Sequence, residues 1–311
     1  MSGLSTSLPE FTEKLLSAAR LAGADAADAL ASIGSAIEIN VRSGVLEQAE
    51  RSEAMDLGLR VFIGQRQAVV SGSDLRDGTL STMAERAVAM AKEAPDDPYA
   101  GLAAPEQLAM DWNIEELELY DAQPEPSAAA LEADALVAEA AALRVAGIEQ
   151  VDAASASYGS GRVHFQTSAG FAGGYQRTSR SISCVAIAGT GLQMERDYDF
   201  DNRIFQEDLT DPAEIGANAG ARAVARLKPS KPPTGQFPVL FDERVASSLI
   251  GHFLGAINGA SVARGSSWLL EGLGQQVFPD GTQLIEDPHR PRVAGSRPFD
   301  GEGLPTQRRA L

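Results

Sequence analysis

The 311-residue chain is 44% hydrophobic and carries 43 acidic against 26 basic residues, a formal net charge of −17 at pH 7. That length and apolar content suffice for two domains, each with its own core. The charge excludes a nucleic-acid binder unless a local basic stripe overrides it, and none exists: Arg290, Arg292, Arg297 and the pair Arg308 and Arg309 lie among prolines and small residues rather than aromatics.

The first fourteen residues, MSGLSTSLPEFTEK, lack the basic start and apolar run of a signal peptide, and no stretch approaches the roughly 18 apolar residues of a membrane span. Cys184 is the lone cysteine, which excludes an intramolecular disulfide framework and fits a reducing compartment. A cytoplasmic protein without membrane attachment is expected.

Ser7, Pro9 and Glu10 supply a cap, a first-turn proline and a capping-box acid for a first helix whose apolar face is Phe11, Leu15, Leu16 and Ala19. Ile37, Ile39 and Val41 alternate with Glu38, Asn40 and Arg42, and Ser43 with Gly44 turns the chain into a second extended run. Leu57 to Ile63 alternates again, Gln67 to Ser71 returns, and Thr79 to Glu93 has helical periodicity. Pro95 to Pro126 reads as a proline-rich surface connector, followed by an alanine-rich helix over Ser127 to Leu143.

Three β runs are predicted next, Gln150 to Tyr158, Arg162 to Ser168 and Tyr175 to Ala188, with turns at Gly159 to Gly161 and Gly170 to Gly174. Asp197, Asp199 and Asp201 alternate with Tyr198 and Phe200, which predicts a half-buried strand with a solvated acidic face. Asp211, Pro212 and Glu214 open a helix that ends by Lys228 and Pro229. Pro229 to Pro238 is a stiff linker, and Phe237 to Phe241 reads as a strand leading into a helix capped by Asp242. No tandem repeat is visible in the residues.

Catalytic chemistry finds little support. Zinc catalysis needs three or more converging ligands, whereas the chain has three histidines, His164, His252 and His289, and the single Cys184. A buried thiol and a satisfied core histidine are the expected states of Cys184 and His164. No GxSxG elbow, GxGxxG or Walker sequence occurs. The acidic run at Asp197 lacks the glycine of a calcium loop.

The helix after Asp242 is the most informative segment. Val245, Leu249 and Phe253 recur at every fourth position, and Gly251, Gly255 and Gly259 form a second stripe at the same spacing. Each glycine costs about 1 kcal/mol in a helix interior, so the stripe points to a partner backbone or an extended peptide against that face. Asn258 and Arg264, near its end, could grip a peptide backbone, and helix capping accounts for Asn258 equally well.

This helix, with SAIEINVRSGVLEQAERSEAMDLGLRVFIGQRQAVVSGSDL from Ser35, APDDPYAGLA from Ala94 and RPFDGEGLPTQRRAL from Arg297, resembles the TldD/TldE (PmbA) family, once called modulators of DNA gyrase. The match is to the TldE/PmbA side. In the TldD-type subunit the corresponding helix carries HExxxH, with a cysteine further along completing a zinc site. Here the motif reads Gly251, His252, Phe253, Leu254, Gly255 and Ala256, so both ligand positions are empty and His252 stands where the base would be. Members continue past RPFDGEGLPTQRRAL, where this sequence stops.

The expected fold is α+β: an N-terminal helix and antiparallel sheet domain followed by a second mixed α+β domain. The expected boundaries are an N-terminal region 1–229, with sub-units of about 1–95 and 127–229, and the start of a PmbA-like C-terminal domain over 230–311. The resemblance implies a metal-free, cytoplasmic pseudo-enzyme subunit, without catalytic residues of its own. Such a subunit pairs with a TldD-like partner that holds zinc, or with itself, to process unfolded peptides. A homo-oligomeric peptide-binding module and an independent hydrolase are the alternatives. Candidate contacts to peptide or partner are His252, Gly255, Asn258, Gly259 and Arg264.

Overall fold

The computed structural model describes residues 7–311, so MSGLST at the start of the signal-peptide reading lies outside the described residues. Two compact units emerge, one formed by Met1–Lys228 with Glu286–Arg309 and the other by Pro229–Ile285 with the last two residues.

The larger unit has the expected α+β architecture. Its elements in chain order are α1 (Leu8–Ala22), β1 (Ala26–Arg42), β2 (Val45–Ile63), β3 (Arg66–Gly72), α2 (Asp77–Glu93), α3 (Ala128–Leu143), β4 (Ile148–Thr167), β5 (Ala172–Ala188), β6 (Glu195–Arg203) and α4 (Pro212–Ala225). The strands form one antiparallel sheet in the order β3-β2-β1-β4-β5-β6. A helix-strand-strand-strand-helix order therefore occurs twice, and the copies join through β1 and β4. No repeat is visible in the residues because only element order and pairing are shared.

Both helix pairs cover the same face. Ala27, Ala29 and Ala31 of β1 pack under α1 and α2 with Leu15, Leu57, Leu59 and Ala84. Ile37, Ile39 and Val41, of the same parity on β1, pack under α3 and α4 with Ala138, Ile182, Cys184 and Ala219. One strand thus feeds two cores and leaves a waist between them at Ile33 and Ser35.

Local signals formed as expected at two caps, where Ser127 accepts from the Ala130 N–H at 3.1 Å and Asp211 from Ala213 at 2.7 Å. At α1 the cap is backbone only, since Ser7 makes no side-chain bond. Four expectations are corrected. The two β runs before and after Gly159 to Gly161 are one continuous strand, β4, and glycine at 159 leaves room for the Ser179 hydroxyl, 2.8 Å from where a Cβ would sit. Gly173 and Gly174 lie within β5 rather than in the turn before it. Phe237 to Phe241 forms no strand, having no ladder partner to satisfy its backbone.

On β6 the faces are the reverse of those expected. Tyr198 and Phe200 point outward, stacked at 6.0 Å, while Asp197 and Asp199 turn toward α4 and bond Arg226 and Arg222. Burying the carboxylates is tolerable because each meets a guanidinium from the covering helix.

The connector and the tail segment pack on the unit as well. Trp112, Phe165, Phe171 and Phe299 form an aromatic cluster with centroid separations of 4.8 to 5.8 Å. Arg292 lies over Phe205 at 4.0 Å and bonds Glu118, Glu207 and Asp208, so this arginine is a structural clamp. Buried Arg180 lies over Tyr158 and 3.9 Å from buried Asp121, which accepts the Gln123 and Gln206 amides. Among the described residues no helix is long and apolar enough to cross a membrane.

Candidate functional site

The degenerate-motif helix belongs to the smaller unit. It is α5 (Glu243–Ile257), and Asp242 accepts the Arg244 amide at 3.0 Å as its cap. Asn258 then takes an extended backbone, ψ 122°, and its side chain accepts from the Ala260 and Ser261 amides at 3.1 and 3.3 Å, opening a short helix, α6 (Gly259–Ala263). The expected stripe is therefore interrupted. Gly251 and Gly255 lie on α5, whereas Gly259 begins a separate helix, because Asn258 spends its carbonyl oxygen on capping.

Little of α5 is buried within its own unit. Ala256 is its buried residue, and its carbonyl accepts the Ser267 hydroxyl at 2.6 Å. Phe253 meets Phe278 edge-on at 5.0 Å. Val245, Leu249, Leu254 and Ile257 remain exposed, as do Gly251, His252 and Gly255, and a Cβ built at Gly251, Gly255 or Gly259 meets no atom within 4 Å. The helix thus presents an open apolar and glycine-lined surface that includes His252, while Arg264 is the C-cap of α6.

The geometry also bears on metal binding. Positions 251 and 256 are five residues apart, about 140° around a regular helix, and one is exposed while the other is buried. Glycine and alanine offer no ligating atoms, so these residues do not fit a zinc ion. Among the described residues no group of three or more His, Cys, Asp or Glu could hold a metal.

The remaining candidates are dispersed. His164 faces α1, its Nδ1 2.9 Å from the Thr12 hydroxyl, and burial lowers its pKa. Cys184 is fully buried opposite Ala154, ten residues further along the β4–β5 ladder from His164 and its neighbour Gly174. Burial first, then Glu139 and Asp199, pushes the thiol pKa up to about 12. His289 lies in the tail segment, its Nε2 2.9 Å from Thr306 Oγ1. The buried Arg180 and Asp121 pair and the Arg292 clamp carry no motif, and only the packing of the connector and the tail segment on the sheet unit brings their partners together.

Comparison with known proteins gives these features a context. Three domain models of one family match the chain: PmbA/TldA metallopeptidase domain 1 over residues 27–91, the central domain over 121–227 and the C-terminal domain over 234–311. The chain is 36% identical over 292 residues to a metalloprotease PmbA homolog of Haemophilus influenzae, covering 93% of this chain and 64% of that protein. It is 34% identical over 287 residues to metalloprotease PmbA of Escherichia coli O157:H7, covering 92% and 63%. The chain thus spans just under two thirds of the length of these curated relatives.

Among solved structures, one described as a candidate modulator of DNA gyrase from Bacteroides thetaiotaomicron superposes with a TM-score of 0.85 at 24% identity, covering 99% of this chain and 70% of that one. TldE from Thermococcus kodakarensis superposes with a TM-score of 0.73 at 18% identity, covering 96% and 66%. These likenesses show the same fold. With successive family domains matched along it and an α+β architecture shared with those structures, the chain belongs to the PmbA/TldD metallopeptidase family.

Proposed function

We propose that the chain is a TldE/PmbA-like subunit that carries no metal of its own and works in the cytoplasm with a TldD-like zinc subunit on unfolded peptides. The observation that carries this reading is α5, where Gly251 and Ala256 stand at the ligand positions of HExxxH and His252 at the base position. Zinc needs about three protein ligands with one position open, and a glycine and an alanine supply none. The open surface of α5 supports a contact role, because Val245, Leu249, Leu254 and Ile257 stand exposed along one helix, as apolar side chains do at an interaction surface. The metal, the general base and the chemistry then belong to the partner, and this chain contributes surface.

The test is co-expression with a TldD-like subunit, followed by copurification, metal analysis and peptide turnover. The pair should copurify, and zinc and peptidase activity should appear only with the partner present. A stoichiometric zinc on the isolated chain that survives mild chelation would overturn the reading. So would turnover of an unfolded peptide by the isolated chain, which is the outcome an independent hydrolase predicts.

A further inference from the structure

The waist between the two helix pairs holds a cavity of about 570 Å³, within the range of small-ligand sites, and all its lining comes from the larger unit. Its floor is set by strand register. Glu53 of β2 lies opposite Ser35 of β1, which lies opposite Ser160 of β4, while Met55, Ile33 and Arg162 form the adjacent row. Tyr120 and Gln176 complete the wall.

Arg162 is the exposed cation of this waist. Charged side chains elsewhere on this face have partners, as in Arg51 with Glu53 and Glu125, Arg180 with Asp121, and Asp199 with Arg222. Among the described residues Arg162 has no hydrogen-bond or ion-pair partner, and it is exposed where it lines the cavity, so a ligand can reach its donors. A planar guanidinium with free donors is matched best by a carboxylate. Across β1, two strand spacings and one row away, or roughly 12 Å between backbone positions, stands Glu53. Ser35, Ser160 and Tyr120 add hydroxyls to the lining, with Ile33 and Met55 as its apolar part.

We infer that this cavity is a binding site for a short zwitterionic peptide of two or three residues, its terminal carboxylate on Arg162 and its terminal ammonium toward Glu53. An extended dipeptide reaches about 7 Å, and the two long side chains span the remainder. A single amino acid would leave one charge unmet. The inference is independent of the partner reading, since the site lies wholly within this chain and is tested without a second subunit.

The experiment is calorimetric titration of the full chain with Ala-Ala, its C-terminal amide and its N-acetyl form. Ala-Ala should bind, with amidation weakening it at least tenfold and acetylation weakening it less, because Glu53 is already shared with Arg51. Arg162→Gln should abolish the preference for the free carboxylate, Arg162→Lys should retain part of it, and Arg196→Gln, on β6, should leave it unchanged. Absence of binding at millimolar peptide, or equal binding of acid and amide by the unaltered chain, overturns the inference without recourse to any variant. A folded Arg162→Gln chain that still prefers the acid overturns it as well.

Discussion

Two helices of this chain carry glycines four residues apart, and they put the same spacing to different uses. On α4, a Cβ at Gly216 would lie 1.9 Å from the Ala138 carbonyl oxygen, and one at Gly220 would lie 2.8 Å from Val145 Cγ2. There the stripe is closed: α3 lies directly on it, and the alanine-rich faces of both helices bring their backbones together. On α5, the Cβ positions of Gly251 and Gly255 meet nothing within 4 Å. The difference teaches that glycine spacing marks a face built for close approach without saying whether the chain fills that face itself. On α4 the fold fills it. On α5 no described residue fills it, and the proposed partnership places its contact there.

The largest effect should come from the closed stripe. Gly216→Ala forces a methyl into a carbonyl oxygen, and relief requires α4 to move off α3. The expected loss is about 3 kcal/mol, at the upper end for overpacking, read as a lower midpoint in urea denaturation. A variant with unchanged midpoint would show that the helices separate at little cost, and the contrast with α5 would fail.

The same layer carries its own reporter. Cys184 sits under α3 and α4 with its thiol fully buried, so iodoacetamide at pH 8 should modify the native chain slowly. Gly216→Ala should speed the modification severalfold by loosening that layer. The pH dependence has a definite sign. The folded thiol ionises only towards about 12 whereas an exposed one does so near 9.0, so its contribution to stability is complete below about pH 9 and is lost as the pH rises from there towards 12. Cys184→Ser should flatten the alkaline fall in stability measured over that window. An identical fall in the serine variant would assign the alkaline loss to other groups.

Legibility in the residues followed how local each cause is. The helices α3 and α4 were readable almost to the residue because Ser127 and Asp211 act on amides two or three positions away. The first half of β1 was not, because Ala27, Ala29 and Ala31 alternate without bulk and gain their burial only from α1 and α2. Gly159 and Gly161 read as a turn, since glycine marks turns and close approaches alike, and only Ser179 on the neighbouring strand decides between them. On β6 the aromatics looked like the inner face, and the arginines that bring the aspartates inward stand more than twenty residues away on α4. The altered motif on α5 was readable because its positions are consecutive. The waist cavity was not, because Glu53, Ser35 and Arg162 meet only through the register of three strands.

A smaller effect, of opposite sign, is expected on the open stripe. Gly251→Ala or Gly255→Ala places a methyl in open space on a regular helix, so each should stabilise the isolated chain by up to about 1 kcal/mol. Hydrogen exchange of the α5 amides measures this locally. Gly255→Leu should be equally harmless in isolation and should abolish copurification with a TldD-like subunit. If Gly255→Ala destabilises the isolated chain, the stripe is already occupied within it and the comparison with α4 collapses.

The smallest expected effect is no gain of activity at all. Gly251→His, His252→Glu and Ala256→His together rebuild HExxxH on α5, yet two obstacles remain. The imidazoles would project about 140° apart around a regular helix, so both can reach one ion only if the helix unwinds locally, which Gly255 permits. The histidine at 256 would also replace the buried methyl of α5, beneath which Ser267 bonds the Ala256 carbonyl. Overpacking there opposes the rotation that zinc would require. Even with both imidazoles in place the ion is one protein ligand short of the usual three. The triple variant should therefore lose its zinc to a mild chelator and cleave no peptide in the absence of a partner. Zinc-dependent peptidase activity that disappears when the introduced glutamate is changed to glutamine would locate a third ligand within these 311 residues. It would also overturn the proposal that the metal chemistry belongs to the partner alone.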